Sequence, residues 1–198
     1  MLQKLEQKKG AEALAVRNIP LVEENFNRII HSVLYNVHTK GGKVICSGMG
    51  KAGQVANNIA TTLSSTGTPA LFLHPSESMH GDLGVVQKND VFIFVSNSGE
   101  TIEVIELLRL AKKRFPTICA FAILGRPQSK LGDSVQAYLE TGLPPEICPL
   151  GLTPTTSTTC MMVLGDLLVT EIMERIGFTK EQYASCHHAG YLGNMARS

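Results

Sequence analysis

The sequence predicts a three-layer αβα protein: a five-stranded, parallel, doubly wound sheet between two layers of helices, with helices ahead of the first strand. Three observations carry this. Five short apolar runs recur, at residues 43–46, 70–74, 91–95, 117–124 and 135–140. The runs have little polar alternation, which marks strands covered on both faces, as in a parallel sheet. Between them lie stretches with apolar residues three and four apart, the spacing of one helix face. Strand–helix alternation of this kind favours a parallel sheet with helices on both sides.

The elements follow in order. Residues 1 to about 39 read as helical: Glu, Lys, Gln and Ala dominate the start, and Leu21, Phe26, Ile29, Ile30, Val33, Leu34 and Val37 form an apolar face. Pro20 divides this region into two helices, because proline lacks the N–H that a helix interior needs. These helices cover either the domain's own sheet or a neighbouring subunit, so 1–39 and 40–198 are treated as separate units. Strand 43–46 runs into Ser47-Gly48-Met49-Gly50-Lys51-Ala52-Gly53 and a helix through Val55, Ile59 and Leu63. Strand 70–74 leads to a polar connection containing His80, Gly81 and Asp82. Strand 91–95 leads through Ser96-Asn97-Ser98-Gly99-Glu100-Thr101 to a helix ending near Arg114. Strand 117–124 is broken by Gly125-Arg126-Pro127, and 129–133 reads as one helical turn. After strand 135–140 come a Pro-rich loop, the N-cap candidates Thr155 to Thr159, and a long helix over 160–176. The last residues, 177–198, read as a short Gly-rich tail with His187 and His188.

Composition narrows the function classes. With 198 residues, 43% hydrophobic and 18% charged, the chain suits one globular unit with a sizeable core. A formal net charge of +1 offers no bulk charge for nucleic acid or an anionic membrane. No apolar run approaches the roughly 20 residues of a membrane helix. The N-terminus is charged throughout and lacks the apolar region of a signal peptide, so a cytoplasmic location is expected. The five cysteines are widely spaced with no CxxC pair, which favours reduced thiols over a metal site. No metal and no cofactor are expected.

Two strand ends carry anion-binding signals. At Ser96–Thr101, free backbone N–H groups at a helix N-terminus combine with the hydroxyls of Ser96, Ser98 and Thr101, a setting that binds phosphate without a cation. The plainer alternative is that these serines only cap the helix. Gly48-Met49-Gly50-Lys51-Ala52-Gly53 matches the dinucleotide fingerprint G-x-G-x-x-G after a strand. The fingerprint also needs an acidic residue about 20 positions on, at the end of the second strand. Leu73, His74 and Pro75 stand there instead. The stretch reads better as a tight turn presenting Ser47 and Lys51 to a small anion. A phosphosugar fits such a set: one phosphate cradle, several polar contacts, and acid–base groups at neighbouring strand ends.

Several segments, taken together, carry a family resemblance. Ser47-Gly48-Met49-Gly50-Lys51, Ser65-Thr66-Gly67-Thr68-Pro69, His80-Gly81-Asp82-Leu83-Gly84, Ser96-Asn97-Ser98-Gly99-Glu100 and 149–159 (PLGLTPTTSTT) occur in this order. They resemble the sugar isomerase (SIS) domain of D-arabinose 5-phosphate isomerases, from about Val33 onward. The resemblance implies interconversion of D-ribulose 5-phosphate and D-arabinose 5-phosphate, which feeds synthesis of Kdo for lipopolysaccharide or capsule. It implies a homo-oligomer, dimer or tetramer, with shared active sites. Many relatives carry a C-terminal pair of CBS domains, and the chain reads as a short form without them. Relatives have His-Pro-Gly-Gly where this chain has His187-His188-Ala189-Gly190.

The implied reaction opens the sugar ring and moves a proton between C1 and C2 through an enediolate. It needs a base, a proton relay and donors for the developing oxyanion. By resemblance the catalytic set is Lys51, Glu103, Glu146 and His187, and the substrate-binding set is Ser47, Gly48, His80, Ser96, Asn97, Ser98 and Thr101. Glu103 is the first candidate for proton transfer and Glu146 the second. Lys51 suits the enediolate. His187 suits ring opening, from a neighbouring subunit by analogy with the family. Feedback would act on the SIS domain itself or be absent, and nucleotide-activated Kdo is the candidate competitor at the cradle. Two rival readings remain: a non-catalytic SIS sensor of sugar phosphates, and an isomerase of another phosphosugar.

Overall fold

Parallel strands need long crossovers, and helices supply them here. The computed structural model describes residues 1–188 together with Tyr191 and Met195. Helices α1 (Leu2–Arg17) and α2 (Glu23–Val33) precede the sheet, and a π-helical segment, Leu34–Thr39, prolongs α2. There follow β1 (Val44–Gly48), α3 (Gly50–Ser65), β2 (Ala70–Phe72), α4 (Pro75–Ser78) and a 3-10 turn (Asp82–Val85). Then come β3 (Val91–Ser96), α5 (Ile102–Arg114), β4 (Cys119–Leu124), α6 (Lys130–Ser134), β5 (Ala137–Glu140), α7 (Thr156–Ile176) and α8 (Lys180–Cys186). The five strands pair in parallel in the order β2-β1-β3-β4-β5.

The central strands β1, β3 and β4 are buried on both faces, while the edge strands β2 and β5 are only partly covered. Val91, Ile93 and Val95 of β3 point into one core with α2, α3 and α7, while Phe92 and Phe94 point into the other with α5. The Phe92 and Phe94 rings stack with centroids 5.1 Å apart. At the amino ends, buried Asp90 joins two strands. Its carboxylate accepts from the Lys43 N–H at 3.0 Å and from the Gln87 N–H at 2.7 Å, and it pairs with the Lys43 ammonium at 2.8 Å.

Some boundaries differ from the sequence reading for local reasons. Strand β2 stops at Phe72, because His74 becomes the N-cap of α4 with Pro75 in its first turn. Strand β5 starts at Ala137, two residues later than read, after the Gln136 side chain accepts from the Ala120 N–H at 2.7 Å. Helix α7 starts four residues early, at Thr156 rather than 160. The tail contains α8, closed by a capping box: Thr179 Oγ1 accepts from the Gln182 N–H, and Gln182 Oε1 accepts from the Thr179 N–H. Thr-x-x-Gln was its legible signal. Ala189 and Gly190 of the altered motif lie outside the described residues.

The glycines of the β1–α3 turn serve packing. A Cβ on Gly53 would lie 2.5 Å from the Gly48 carbonyl oxygen, which holds α3 against β1. Gly53→Ala is therefore expected to destabilise the chain by about 1–3 kcal/mol in chemical denaturation, since the contact is backbone and cannot rotate away. An unchanged midpoint would contradict this packing account.

Candidate functional site

The strand order has its switch point between β1 and β3, where an open α/β sheet leaves a crevice at the carboxyl ends. Helix α3 leaves β1 toward one face, and α5 leaves β3 toward the other. The turns that follow these strands hold most of the residues singled out from the sequence.

In the turn after β3, Ser96 is buried and shapes the loop. Its Oγ accepts from the Gly99 N–H at 3.1 Å and lies 3.4 Å from Thr101 Oγ1. Gly99 has φ +67°, and Leu131 donates to its carbonyl, which ties the turn to α6. Ser98 is exposed, and its Oγ accepts from the Glu100 N–H at 3.2 Å. Thr101 is the N-cap of α5 without a side-chain cap bond, so the first amides of this helix face the crevice end. Asn97 is exposed, with its carbonyl accepting from the Arg126 N–H. Glu103 stands in the first turn of α5, half-buried. Among the described residues, no side-chain hydrogen bond engages it.

After β1, Ser47 is buried and donates to the Leu73 carbonyl at 2.6 Å. Its hydroxyl proton thus braces β1 against the end of β2. Gly48 permits a close approach, since a Cβ there would lie 2.7 Å from the Val95 carbonyl oxygen. Lys51 is exposed in the first turn of α3, with Nζ 3.5 Å from Gln54 Oε1. It lines a cleft of about 480 Å³ with Thr158 and Thr159 of α7. His80 is exposed beyond α4. The sequence reading took His74 only as the end of a strand. The structure gives it a buried Nδ1 with no hydrogen-bond partner among the described residues.

Glu146 has a fixed task. Its Oε2 accepts from the Thr155 N–H at 2.7 Å, the Thr155 hydroxyl at 2.8 Å and the Ser157 N–H at 3.3 Å. A carboxylate from the Pro-rich loop thus caps α7, which is why the helix starts early. Burial raises the Glu146 pKa, but the hydrogen bonds from Ser157 and Thr155 outweigh it and hold the carboxyl below its ordinary value. Two residues on, Cys148 Sγ accepts from the Leu152 N–H at 3.2 Å and the Thr153 N–H at 3.1 Å. Hydrogen bonds from Thr153, and then from Leu152 and Leu150, lower its thiol to about 7.

His187 stands apart from this group. It is the C-cap of α8, and its ring stacks on Tyr183 with centroids 3.9 Å apart. Its neighbour Cys186 lines a cleft with Thr61 and Ser64 of α3 and Leu71 of the edge strand β2. The strand ends therefore bring together the Ser96–Glu103 turn, Ser47, Gly48 and Lys51, while α8 places His187 beside the sheet edge. Among the described residues, no three His, Cys, Asp or Glu side chains cluster as a metal site would require, and no helix is long and apolar enough to cross a membrane.

Residues 38–171 match the model of the SIS domain. The chain belongs to the SIS domain family. This SIS chain is 41% identical over 190 residues to the arabinose 5-phosphate isomerase KdsD of Shigella flexneri, covering 94% of this chain and 57% of that protein. It spans about half the length of the curated relatives it matches. A candidate phosphosugar isomerase involved in capsule formation, from Bacteroides fragilis, superposes with a TM-score of 0.91 at 49% identity, covering 96% of this chain and 97% of that one. The structure of E. coli CFT073 c3406 in complex with arabinose 5-phosphate superposes with a TM-score of 0.83 at 33% identity, covering 92% and 94%.

Two outcomes follow from the α7 loop of this SIS chain. Because the folded Glu146 pKa is depressed, its contribution to stability is present above the ordinary carboxylate range and is lost as pH falls through the folded value. Glu146→Gln is expected to cost about 1 kcal/mol at neutral pH, the worth of a helix cap. The gap from the parent should narrow under acid, and a gap constant from pH 7 to pH 3 in denaturant titrations would refute the clamp. Alkylation of Cys148 by iodoacetamide, followed by peptide mass spectrometry, is expected to rise with a midpoint near pH 7. A midpoint at the ordinary thiol value of about 8.5 would show that the loop does not hold the thiolate.

Proposed function

We propose that this chain is an aldose–ketose isomerase interconverting D-ribulose 5-phosphate and D-arabinose 5-phosphate through an enediolate. The observation that carries the reading is the c3406 relative of near-equal length with arabinose 5-phosphate bound. The curated KdsD relatives support it at 40–45% identity. The turn after β3 supplies what the phosphate needs: the hydroxyls of exposed Ser98 and half-buried Thr101, and the free amides of α5. Ser96 holds that turn in shape, and Asn97, Gly48 and His80 border the sugar. In this reading residues 40–198 are the SIS unit, and the product feeds Kdo synthesis in the cytoplasm.

The two glutamates divide the chemistry. A carboxylate that takes an N–H, a hydroxyl and a second N–H is a weakened base, so Glu146 holds its loop and contacts the sugar. Glu103 lacks those donors and sits one turn past the cradle, so it moves the proton between C1 and C2. Lys51 faces the enediolate oxygen. His187 reaches the sugar from a neighbouring subunit of a homo-oligomer and assists ring opening. Nucleotide-activated Kdo, an anionic sugar, competes at the same cradle.

Incubation of the pure chain with ribulose 5-phosphate, with product analysis by NMR, is expected to yield arabinose 5-phosphate. Glu103→Gln should lower kcat by about 10²–10⁴-fold, the usual worth of a general base. Binding of arabinose 5-phosphate without turnover in the parent would favour a sensor instead. Undiminished turnover in Glu103→Gln would remove Glu103 from the proton-transfer role.

A further inference from the structure

Helix α1 presents an unusual case: it buries none of its residues, yet it reaches the candidate site. Thr156, the first residue of α7, is buried and donates its hydroxyl hydrogen to Glu12 Oε1 at 2.9 Å, a contact spanning 144 positions. On either side, Thr155 and Ser157 donate to Glu146. Two carboxylates from distant segments therefore grip three consecutive residues of one helical turn. The same turn continues into Thr158 and Thr159, which share a cleft with Lys51. Helix α1 also lies along the loop that carries Glu146: Ala11 and Leu14 line a groove with Thr141 and Pro144. A Cβ on Gly142 of that loop would lie 3.1 Å from Pro20, just past α1.

We infer that Glu12 is a positioning residue for the reaction: by holding Thr156 it sets the first turn of α7, and so the place of Glu146 and of the wall facing Lys51. Glu12 lies outside residues 38–171, so the SIS match does not include it. The inference rests on the isomerase reading for its effect on turnover, but not for its effect on Glu146. Small displacements of a substrate-facing group can lower the rate sharply while binding is kept. The carboxamide of glutamine retains an acceptor oxygen for the Thr156 hydroxyl, whereas alanine retains none.

The test compares Glu12→Ala, Glu12→Gln and Thr156→Val in the full chain. Glu12→Ala and Thr156→Val are expected to lower kcat with ribulose 5-phosphate by about 10-fold, with KM changed by less than about 2-fold. The double variant should be no worse than either single one, because both remove one bond. Glu12→Gln should stay within about 2-fold of the parent. Parent-like kcat in Glu12→Ala, whatever its melting temperature, overturns the inference. So does a Glu12→Gln variant as impaired as the alanine one. A second readout does not depend on activity: the carbon-13 shift of the Glu146 carboxylate at pH 7. It should move in Glu12→Ala and not in Glu12→Gln, and an unmoved shift in Glu12→Ala overturns the inference. If the parent turns over no ribulose 5-phosphate, the function reading fails alone, and the Glu146 shift decides this one.

Discussion

Gly48 stands where β1 meets β3 and α3 at once. A Cβ there would lie 2.7 Å from the Val95 carbonyl oxygen and 3.1 Å from that of Ala52, so a side chain would push the central strand pair apart or lift the helix. This backbone approach brings the carboxyl ends of the two strands to the same height, with Gly48 paired to Val95. Because α3 and α5 then leave toward opposite faces, a crevice opens between the turns. The glycine-rich run after β1 is thus a packing device. In a dinucleotide-binding protein the same spacing would let a pyrophosphate approach. Here Gly48 and Gly53 let strand and helix backbones approach one another.

The sheet was legible because a parallel strand buried on both faces leaves its mark in consecutive residues. Val91 to Val95 could be read without knowing what covered them. Helix α8 was legible in principle from Thr179 and Gln182, but a four-residue cap in a Gly-rich tail is a weak signal beside an apolar run. The Ser96–Thr101 turn was legible as a cluster of donors at a helix N-terminus because those donors are sequence neighbours. The state of each side chain was not. Ser96 and Ser98 look alike in sequence, yet one is buried inside the turn and the other exposed. Ser47 looked like a ligand contact, and its proton goes to the Leu73 carbonyl, 26 residues away. Contacts of that kind depend on which strands become neighbours, and periodicity does not encode it.

The two glutamates show how environment separates equal side chains. On sequence alone both were candidate bases. Glu146 meets three donors at the start of α7 and is held ionised, as a good cap should be and a good base should not. A carboxylate serving a helix N-terminus also gains from the helix dipole, which further favours its charged form. Proton abstraction from carbon needs a carboxylate whose affinity for the proton rises, not one whose affinity falls. Hydrogen-bond counting therefore separates the environments of the two glutamates before any substrate is considered.

The same counting explains why α1 belongs with the site. Helix α1 fully buries none of its residues; Ala15 and Val16 pack half-buried against the core, and polar contacts add to their hold on its position. A hydrogen bond to a charged acceptor is worth about 1.5–3 kcal/mol when partly shielded, more than a solvent-exposed ion pair. The Thr156–Glu12 bond has that character, since its donor is buried and its acceptor half-buried. At the start of α7, Glu146 accepts from the amide and hydroxyl of Thr155 and from the amide of Ser157. The middle hydroxyl is left to Glu12. A chain in which α1 took another position would leave the buried Thr156 hydroxyl unpaired beside the loop that carries Glu146, at a cost of about 1–3 kcal/mol. That cost would fall on the geometry around Glu146, so the N-terminal helix is held where the candidate site requires it.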